Sequence, residues 1–292
     1  MNTYLKTFSV ATTKFEADFL SMQRRTCYAS YYPFGVFEPK YFGEFEFDPI
    51  TIFYGSNGCG KSTLLNVIAE KLGIEHMGPY NTTKYMKDYI EGCDVETESI
   101  PPNSKIISSD DVFNYLTDIR YMNMGIDAKR IDLFEEYYDR IKPMKLTSMD
   151  DYENYRKHVE ATRKTASGFI KSHLLSNALM QSNGQSAIKF FTSQIDQDAL
   201  YLLDEPENSL SPNMQLILKK YIEDSVAGYN CQFVIATHSP LLLALDNAKI
   251  YNLDDITGGE AKWTELENTR IYYEFFKEHK DEFEKDTCSL GD

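Results

Sequence analysis

The sequence predicts an α/β fold in which a mostly parallel sheet is flanked by helices and carries an inserted helical lobe. Three observations favour this fold. A short apolar run at 50–54 leads through a glycine-rich loop into a helical pattern that stops at Gly73. Two later apolar runs, 199–203 and 231–237, end in polar residues, as buried parallel strands do where open sheets bind ligands. Residues 80–180 carry helical periodicity and are longer than a simple connection requires.

The glycine-rich loop matches the pattern G-x-x-x-x-G-K-S/T of a phosphate-binding P-loop. Its glycines allow backbone N–H groups to curl around phosphate oxygens, and the start of the following helix adds positive potential there. Lys61 is predicted to reach the β- and γ-phosphates of ATP, and the hydroxyl of Ser62 to ligate Mg²⁺. The alternative is a chance glycine turn, which the flanking strand and helix disfavour. The residues predicted to bind the nucleotide are Gly55, Ser56, Asn57, Gly58, Cys59, Gly60, Lys61, Ser62 and Thr63.

The second apolar run, 199–203, is followed directly by Asp204 and Glu205. At the end of a parallel strand, Asp204 is predicted to hold Mg²⁺ through its water shell. Glu205 is predicted to orient the attacking water as general base. The alternative is an acidic cap for the next helix. Two adjacent carboxylates downstream of a P-loop favour the Mg²⁺ and water roles.

The third apolar run, 231–237, ends at His238, which is predicted to lie at the same sheet edge and to bond the γ-phosphate. A lone His at a strand end is otherwise an ordinary polar residue. Upstream, Ser182 precedes a helical pattern and is a good N-cap. The segment Ser182-Asn183-Gly184-Gln185 is weak evidence alone, and its position before the acidic strand gives it weight.

This order and spacing resemble those of the ATP-binding-cassette ATPases over residues from about 30 to 255. Residues 182–185 are similar to the family's signature Leu-Ser-Gly-Gly-Gln, shortened and altered at two places. The resemblance implies that Ser182 and Gly184 of one subunit contact the γ-phosphate bound to the P-loop of another. It therefore implies an ATP-dependent homodimer that hydrolyses ATP.

Within that family, residues 204–212 differ from the Asp-Glu-Pro-Thr-Ser-Ala-Leu-Asp usual in transporters and resemble the soluble branch. That branch contains chromosome-maintenance and recombination-repair ATPases and small stand-alone bacterial ones. The small ones are similar at Tyr32-Pro33-Phe34, at 201–207 and at 236–240. This resemblance implies a switch acting on nucleic acid or a partner protein, in DNA repair or phage defence. It also implies that residues 208–210 sense the partner subunit.

Two features of the family are missing or open. No Gln occurs between Ser62 and Gln181, although cassette ATPases carry one there as a Mg²⁺ ligand; Ser109 or Asp110 is the candidate replacement. The aromatic residue that stacks on adenine is also open. The candidates are Tyr32, Phe34 and Tyr41, each of which is equally suited to the core.

The predicted organisation is a nucleotide-binding core in two parts, 1–80 and 181–292, with the helical lobe at 81–180 inserted between them. The lobe contains a net positive stretch, for which a solvated helix face is favoured over a nucleic-acid contact. Its basic residues are Arg156, Lys157, Arg163, Lys164 and Lys171. The C-terminal stretch from Thr269 is amphipathic and predicted to pack on the core, with a partner-binding helix as the alternative.

Composition restricts the remaining choices. The chain has 292 residues and a net charge of −15, which argues against a surface coated with phosphate-binding residues but leaves room for a local groove. No apolar run approaches the roughly 20 residues of a membrane helix, so membrane insertion is not expected. The N-terminus does not resemble a signal peptide. Five cysteines without metal spacing, together with a nucleotide site, predict a reducing cytoplasm.

Three functions remain. The favoured one is an ATP-gated switch that dimerises around ATP and acts on nucleic acid, a partner protein or an effector. The second is the nucleotide-binding subunit of a membrane transporter, against which the missing Gln and residues 204–212 argue. The third is a slow nucleotide-sensing scaffold that regulates an effector. The complete set Lys61, Asp204, Glu205 and His238 argues against a loss of hydrolysis in such a scaffold, but not against a slow switch.

Overall fold

The computed structural model describes residues 3–23, 30–38, 40–142, 152–174, 176 and 183–287. The chain forms two compact units, one comprising residues 1–112 and 183–292 and the other comprising residues 113–182. The first unit contains both sheets and the P-loop, and the second is helical. An inserted helical lobe was expected from the sequence.

The main sheet of the first unit has six strands, all paired in parallel, in the order β4-β6-β7-β8-β3-β9. The predicted parallel α/β sheet is therefore confirmed. The strands are β3 (Ile50–Tyr54), β4 (Glu75–His76), β6 (Lys105–Ser108), β7 (Leu200–Asp204), β8 (Gln232–Ala236) and β9 (Lys249–Asn252). Strands β3 and β8 are buried along their whole length, which explains why they appear in the sequence as continuous apolar runs.

A second, antiparallel sheet has the order β2-β1-β5. Its strands are β1 (Leu5–Ser9), β2 (Phe45–Glu46) and β5 (Asp94–Thr97). The main core contains side chains from both sheets, including Leu5 and Phe8 of β1 together with Phe53 of β3. Gln232 links them further, because its side chain accepts a hydrogen bond from the Leu5 N–H at 2.9 Å and donates to the Leu5 carbonyl at 2.9 Å.

Helices flank the main sheet. Those of the first unit are α1 (Thr13–Met22), α2 (Lys61–Leu72), α3 (Met86–Glu91), α7 (Asn183–Gln194), α8 (Pro212–Tyr229), α9 (Pro240–Leu243), α10 (Glu267–Glu278) and α11 (Lys280–Thr287). Helix α2 follows the P-loop and buries Leu64, Leu65 and Ile68. It ends at Gly73, whose φ of 68° is the left-handed conformation that glycine adopts readily, as the sequence predicted.

The second unit contains most of α4 (Ser109–Arg140), together with α5 (Tyr152–Thr162) and α6 (Ala166–His173). Its small core comprises Leu133, Ala161, Phe169 and Ile170. The sequence analysis began this lobe at residue 81, whereas residues 81–112 belong to the first unit. The reason is that β5 and β6 in this stretch pair with strands of the two sheets.

Helix α10 differs from expectation. The sequence analysis predicted that it packs on the core, but its aromatic side chains are about half exposed, with Tyr272 at 52%, Tyr273 at 53%, Phe275 at 53% and Phe276 at 51%. The prediction was wrong for these aromatic side chains, because the apolar face of this amphipathic helix is left largely uncovered within the described part of the chain. None of the helices in the described part of the chain is long and apolar enough to cross a membrane.

Candidate functional site

The candidate site lies where the central strands end. In the sheet register, Asp204 of β7 and Phe53 of β3 are both opposite Ala236 of β8. The residues that follow these strands, the P-loop after β3, Glu205 after β7 and His238 after β8, therefore meet at one edge. This is the edge at which parallel α/β sheets bind their ligands.

The P-loop has the backbone conformation that its glycines allow. Gly58 and Gly60 have φ values of 84° and 105°, which side chains rarely permit. A Cβ atom on Gly60 would lie 3.0 Å from Cε1 of Phe37, so the loop also depends on close contact with a neighbouring aromatic ring. Lys61 is 4% exposed, and its Nζ donates to the carbonyls of Gly55 at 2.8 Å and Ser56 at 3.1 Å.

The two predicted metal ligands are brought together. Ser62 Oγ donates to Asp204 Oδ1 at 3.0 Å. Burial raises the pKa of the Asp204 carboxyl to about 6, and the nearby Glu205 carboxylate adds to this effect, while the Ser62 hydrogen bond and Lys61 oppose it. The pair thus offers a hydroxyl and a partly desolvated carboxylate to a cation.

Glu205 is held from three directions. Its backbone N–H donates to the Ala236 carbonyl at 2.9 Å, its Oε2 accepts from Asn208 Nδ2 at 2.9 Å, and its Oε1 lies 3.5 Å from Lys61 Nζ. Its φ of 48° lies in the left-handed region, which is uncommon for a residue with a side chain and is found mainly at functional sites. The carboxylate is therefore fixed beside the P-loop lysine.

His238 lies at the same edge, as predicted. Its Nδ1 is 3.9 Å from Glu205 Oε1 and 3.3 Å from Glu207 Oε1, and its side chain is 37% exposed. Glu207, which the sequence analysis did not single out as a site residue, is almost fully buried. Its Oε1 accepts hydrogen bonds from Thr237 Oγ1 at 2.6 Å and from the His238 N–H at 2.9 Å.

Two further contacts to the P-loop have no clear signal in the sequence. Asp254, in the turn after β9, accepts from the Ser56 N–H and from Ser56 Oγ, both at 2.8 Å. Lys40 donates to the Cys59 carbonyl at 2.7 Å. No motif spacing connects these residues with the loop, because Asp254 is 198 positions from Ser56.

The candidate replacements for the missing Gln lie near the two predicted metal ligands. Ser109 and Asp110 line a cavity of about 350 Å³ together with Ser62 and Asp204. Asp111, next to them, makes local hydrogen bonds to Ser108. Its carboxylate accepts from the Ser108 N–H at 2.8 Å, and its own N–H donates to Ser108 Oγ at 3.2 Å. This reciprocal pair forms a cap at the start of α4. Ser109 and Asp110 therefore remain the candidates on the cavity wall.

The three candidate adenine partners differ in their surroundings. Phe34 is buried and stacks on Phe19 with ring centroids 4.2 Å apart, so it is a core residue. Tyr32 donates its hydroxyl to Thr63 Oγ1 at 3.2 Å, next to the P-loop helix. Tyr41 is 68% exposed. Tyr32 and Tyr41 thus remain candidates.

The signature-like segment is only partly described. Ser182 lies outside the described residues, and Gly184 lies in the first turn of α7, where an added Cβ would meet Met214 Cγ at 3.1 Å.

In the second unit, most of the basic stretch is exposed, and Lys164 pairs with Glu160 at 3.2 Å. This is the behaviour of a solvated helix face.

Sequence comparison finds relatives of known type. Residues 129–244 match the family described as "AAA domain, putative AbiEii toxin, Type IV TA system". The chain is 27% identical over 197 residues to the phosphate import ATP-binding protein PstB 1 of Vibrio vulnificus (strain YJ016), covering 65% of this chain and 64% of that protein. It is 25% identical over 197 residues to PstB of Pseudoalteromonas translucida (strain TAC 125), covering 65% and 63%. The chain thus spans less than two thirds of these relatives' length.

Solved structures are also similar, at low scores. One is an Smc head domain from Pyrococcus furiosus bound to the C-terminal domain of ScpA, with 13% identity and a TM-score of 0.41 over 87% of this chain and 94% of that one. Another is a nucleotide-free ATP-binding cassette from an ABC transporter, with 17% identity and a TM-score of 0.34 over 73% and 85%. Residues 129–244 thus match a family of ATPase domains, and the P-loop and the parallel sheet order are consistent with a P-loop ATPase of the ATP-binding-cassette type.

Proposed function

We propose that the chain binds ATP with Mg²⁺ and hydrolyses its γ-phosphate. The observation that carries this proposal is the contact of four residues at one sheet edge. Ser62 Oγ is 3.0 Å from Asp204 Oδ1, and Lys61 Nζ is 3.5 Å from Glu205 Oε1. A P-loop alone supports nucleotide binding, whereas the adjacent carboxylates add the groups that hydrolysis requires.

The P-loop would hold the phosphates through its backbone N–H groups and through Lys61. In the structure, Lys61 Nζ donates to two carbonyls of the loop itself, those of Gly55 and Ser56. The ammonium group is thus already buried under the loop and directed along it. Phosphate oxygens would replace these acceptors at little cost in side-chain entropy, since the lysine is ordered beforehand.

The donor set at Ser62 and Asp204 fits Mg²⁺. This ion prefers hard oxygen ligands and is commonly held by one or two protein groups, with phosphates and waters completing its shell. A cation would also compensate the burial that raises the Asp204 pKa to about 6. When bound, Mg²⁺ neutralises charge on the β- and γ-phosphate oxygens.

Glu205 would orient the attacking water and accept its proton. Asn208 Nδ2 fixes one carboxylate oxygen at 2.9 Å, which leaves the other facing Lys61 and the phosphate side of the site. His238 would bond the γ-phosphate from the neighbouring strand end. Both roles require only the groups at the sheet edge, and neither requires a movement of the sheet.

We propose further that two copies close around ATP and that hydrolysis opens them again. In this scheme Ser182 and Gly184 of one copy act at the P-loop of the other, as the resemblance to cassette ATPases implies. The opening and closing would act as a switch on nucleic acid or a partner protein, in a DNA-repair or phage-defence role in the cytoplasm. The free, buried Cys59, Cys93 and Cys231 suit such a reducing compartment.

Two other roles have specific support. The PstB relatives are phosphate import ATP-binding proteins, which favours a transporter subunit as the second candidate. The matched family is described in terms of a toxin and a toxin–antitoxin system, which favours a slow nucleotide sensor controlling an effector. Both candidates share the proposed nucleotide chemistry, and they differ from the favoured role in the partner.

The hydrolysis proposal is tested with Glu205→Gln, measured as phosphate release from ATP with Mg²⁺. Removing a general base is expected to lower turnover by roughly 100-fold or more while ATP binding persists. The matched control is Glu223→Gln, because Glu223 lines a groove with Pro49 and Ile50 at the opposite end of β3. Unchanged turnover in Glu205→Gln would show that Glu205 is not the base, and absence of turnover in the unaltered protein would refute the hydrolysis proposal.

The dimer proposal is tested by mass-resolved sizing of Glu205→Gln with and without ATP and Mg²⁺. A shift from monomer to dimer that requires ATP is expected. Mixing Ser182→Arg with Lys61→Ala should restore part of the turnover that each variant lacks, since each supplies the half-site that the other has lost. Repeating the sizing with short DNA and RNA tests the nucleic-acid role, and a failure of both the shift and the restoration would contradict the two-copy arrangement.

A further inference from the structure

A buried carboxylate beside His238 has no role in the chemistry described so far. Glu207 is 6% exposed and lies three residues after Asp204, inside the short 3-10 helix at 206–209. Its Oε1 accepts from Thr237 Oγ1 and from the His238 N–H, and it lies 3.3 Å from His238 Nδ1. Its Oε2 is buried without a hydrogen-bond partner among the described residues. One oxygen thus serves three groups while the other serves none.

An unpaired charge in such a position is costly. A buried carboxylate is normally compensated by a cation or by several hydrogen bonds, because it has lost its hydration. Within the described chain, the side chain of His238 is the one cation-forming group within 4 Å of Glu207. The other carboxylate near this ring, Glu205, already faces Lys61 and Asn208.

The ring of His238 also has a buried polar atom without a hydrogen-bond partner in the described part of the chain. Its Nδ1 is enclosed and has no hydrogen-bond partner among the described residues, and Glu207 Oε1 is the nearer of the two carboxylate oxygens beside it. At 3.3 Å the nitrogen and oxygen are slightly beyond the usual distance for a charge-assisted hydrogen bond. A rotation of the ring that aligned an Nδ1–H with Glu207 Oε1 would give both groups a partner.

We propose that Glu207 is a positioning residue that accepts a hydrogen bond from His238 Nδ1–H and so turns the Nε2–H of the protonated ring toward the γ-phosphate. This inference rests on the proposed role of His238 in nucleotide hydrolysis. A carboxylate that accepts from one ring nitrogen fixes the tautomer and orientation of the ring, as in other carboxylate–histidine pairs. The ring must carry a proton on both nitrogens in this contact, because phosphate oxygens accept hydrogen bonds and do not donate them.

A purely structural role for Glu207 is the competing explanation, since its hydrogen bonds from Thr237 Oγ1 and the His238 N–H stabilise the turn after β8. Glu207→Gln separates the two roles. The amide oxygen of Gln can still accept from Thr237 Oγ1 and the His238 N–H, so the turn is retained. The negative charge that holds the Nδ1 proton is removed.

The first measurement is the ¹⁵N resonance of His238 in protein labelled at histidine, assigned by its loss in His238→Gln. In the unaltered protein the Nδ1 signal is expected to be that of a protonated nitrogen. In Glu207→Gln the equilibrium is expected to move toward the Nε2–H tautomer. The same Nδ1 signal in both proteins would overturn the inference. This readout does not depend on turnover, so it remains decisive even if the proposed hydrolysis fails.

The second measurement is ATP turnover at saturating and limiting ATP. Glu207→Gln is expected to lower kcat by about 10- to 100-fold, since a hydrogen bond to a charged group is lost, and to leave KM within about twofold. Glu223→Gln, an acid-to-amide change away from the site, is the control and is expected to match the unaltered protein. A kcat within about twofold of the unaltered value in Glu207→Gln would overturn the inference while the proposed hydrolysis stands.

A double-mutant cycle completes the test. If Glu207 acts through His238, Glu207→Gln is expected to cause no further loss in a His238→Ala background. Equal losses with and without His238 would show that the two residues act independently and would overturn the inference. Should Glu207→Gln fail to fold, Glu207→Asp replaces it. This variant keeps the negative charge but shortens the side chain by one methylene, which moves the carboxylate away from His238. The changes in the Nδ1 signal and in kcat are expected to have the same direction and to be smaller.

Discussion

Asp254 lies outside the P-loop and stabilises it through hydrogen bonds to Ser56, so Asp254→Ala is expected to weaken ATP binding. The carboxylate follows β9 and accepts two hydrogen bonds from Ser56, one from the backbone N–H and one from the hydroxyl, both at 2.8 Å. It thereby connects the second residue of the loop to a strand on the far side of β3. Without it, the loop must be ordered by the nucleotide at the moment of binding, which costs conformational entropy.

The magnitude follows from these two bonds. Hydrogen bonds to a charged group contribute about 1.5–3 kcal/mol when enclosed, and solvent screening reduces this at an exposed position. A loss of about 1–2 kcal/mol for the pair is therefore reasonable. It corresponds to about a 5- to 30-fold rise in Kd. The free energy of unfolding is expected to change by less, because the contact orders one loop and not the core.

The assay is isothermal titration of ATP with Mg²⁺, supported by chemical denaturation of each variant. Asp255→Ala is the matched control, since the Asp255 carboxylate accepts only from the N–H and hydroxyl of Thr257, both at 2.8 Å, in the described structure. Ser56→Ala removes one of the two bonds and should give an intermediate Kd. If Asp254→Ala binds ATP within about twofold of the unaltered protein, or if Asp255→Ala weakens binding equally, the argument that Asp254 stabilises the P-loop is wrong.

Three further predictions concern the loop, a buried histidine and the C-terminal helix. Gly60→Ala should abolish ATP binding measured by titration, because its φ of 105° is strained for alanine and the new Cβ would lie 3.0 Å from Phe37. Burial lowers the pKa of His76 below its usual 6.5, so the unfolded chain binds the proton first and stability falls as the pH drops through about 6.5. His76→Phe should therefore flatten the free energy of unfolding between pH 7.5 and 5.5, measured with urea. Phe276→Ser should change the free energy of unfolding by about 0.5 kcal/mol or less, whereas the buried Phe8→Ala should cost about 3–5 kcal/mol in the same measurement.

Local patterns explain how much of the fold could be predicted. The strands β3 and β8 are buried on both faces, so each is a continuous apolar run bounded by polar residues. The P-loop adds glycines whose positions are required by φ values of 84° and 105°. Burial on both faces of a strand and positive φ in a loop both restrict residues that are consecutive in the chain. Such local restrictions can be recognised in a single sequence.

The lobe boundary could not be predicted in this way. Strand β6 has only four residues, Lys105–Ser108, and β5 has four, Asp94–Thr97. The stretch from Lys105 is strand-like in the sequence, but a run this short does not show which unit of the protein it joins. The assignment of both strands comes from pairing with β7 and β1, which are distant in the chain. The partner strand decides the structure here, and the local sequence does not.

Long-range polar contacts explain what was missed in the site. Asp254 is one of two adjacent acids in the turn after β9, and nothing nearby in the sequence distinguishes it from Asp255. Its role comes from Ser56, 198 positions away. Glu207 lies in a motif that the sequence analysis quoted, yet its burial beside His238 depends on how β7 and β8 end side by side. A sequence motif therefore indicates the residues that bind a ligand more readily than it indicates the distant residues that hydrogen-bond to them.

The predicted and the missed residues belong to one electrostatic unit. Asp204, Glu205 and Glu207 place three carboxylates at one sheet edge, in a chain whose net charge is already −15. Lys61 offsets Glu205 at 3.5 Å, and His238 is the cation-forming group nearest to Glu207 at 3.3 Å. Burial raises the pKa of Asp204 to about 6, and the neighbouring Glu205 and Glu207 carboxylates add to this effect. A site of this kind gives up stability in the free protein, and it regains stability when a cation and its nucleotide complete the charge balance.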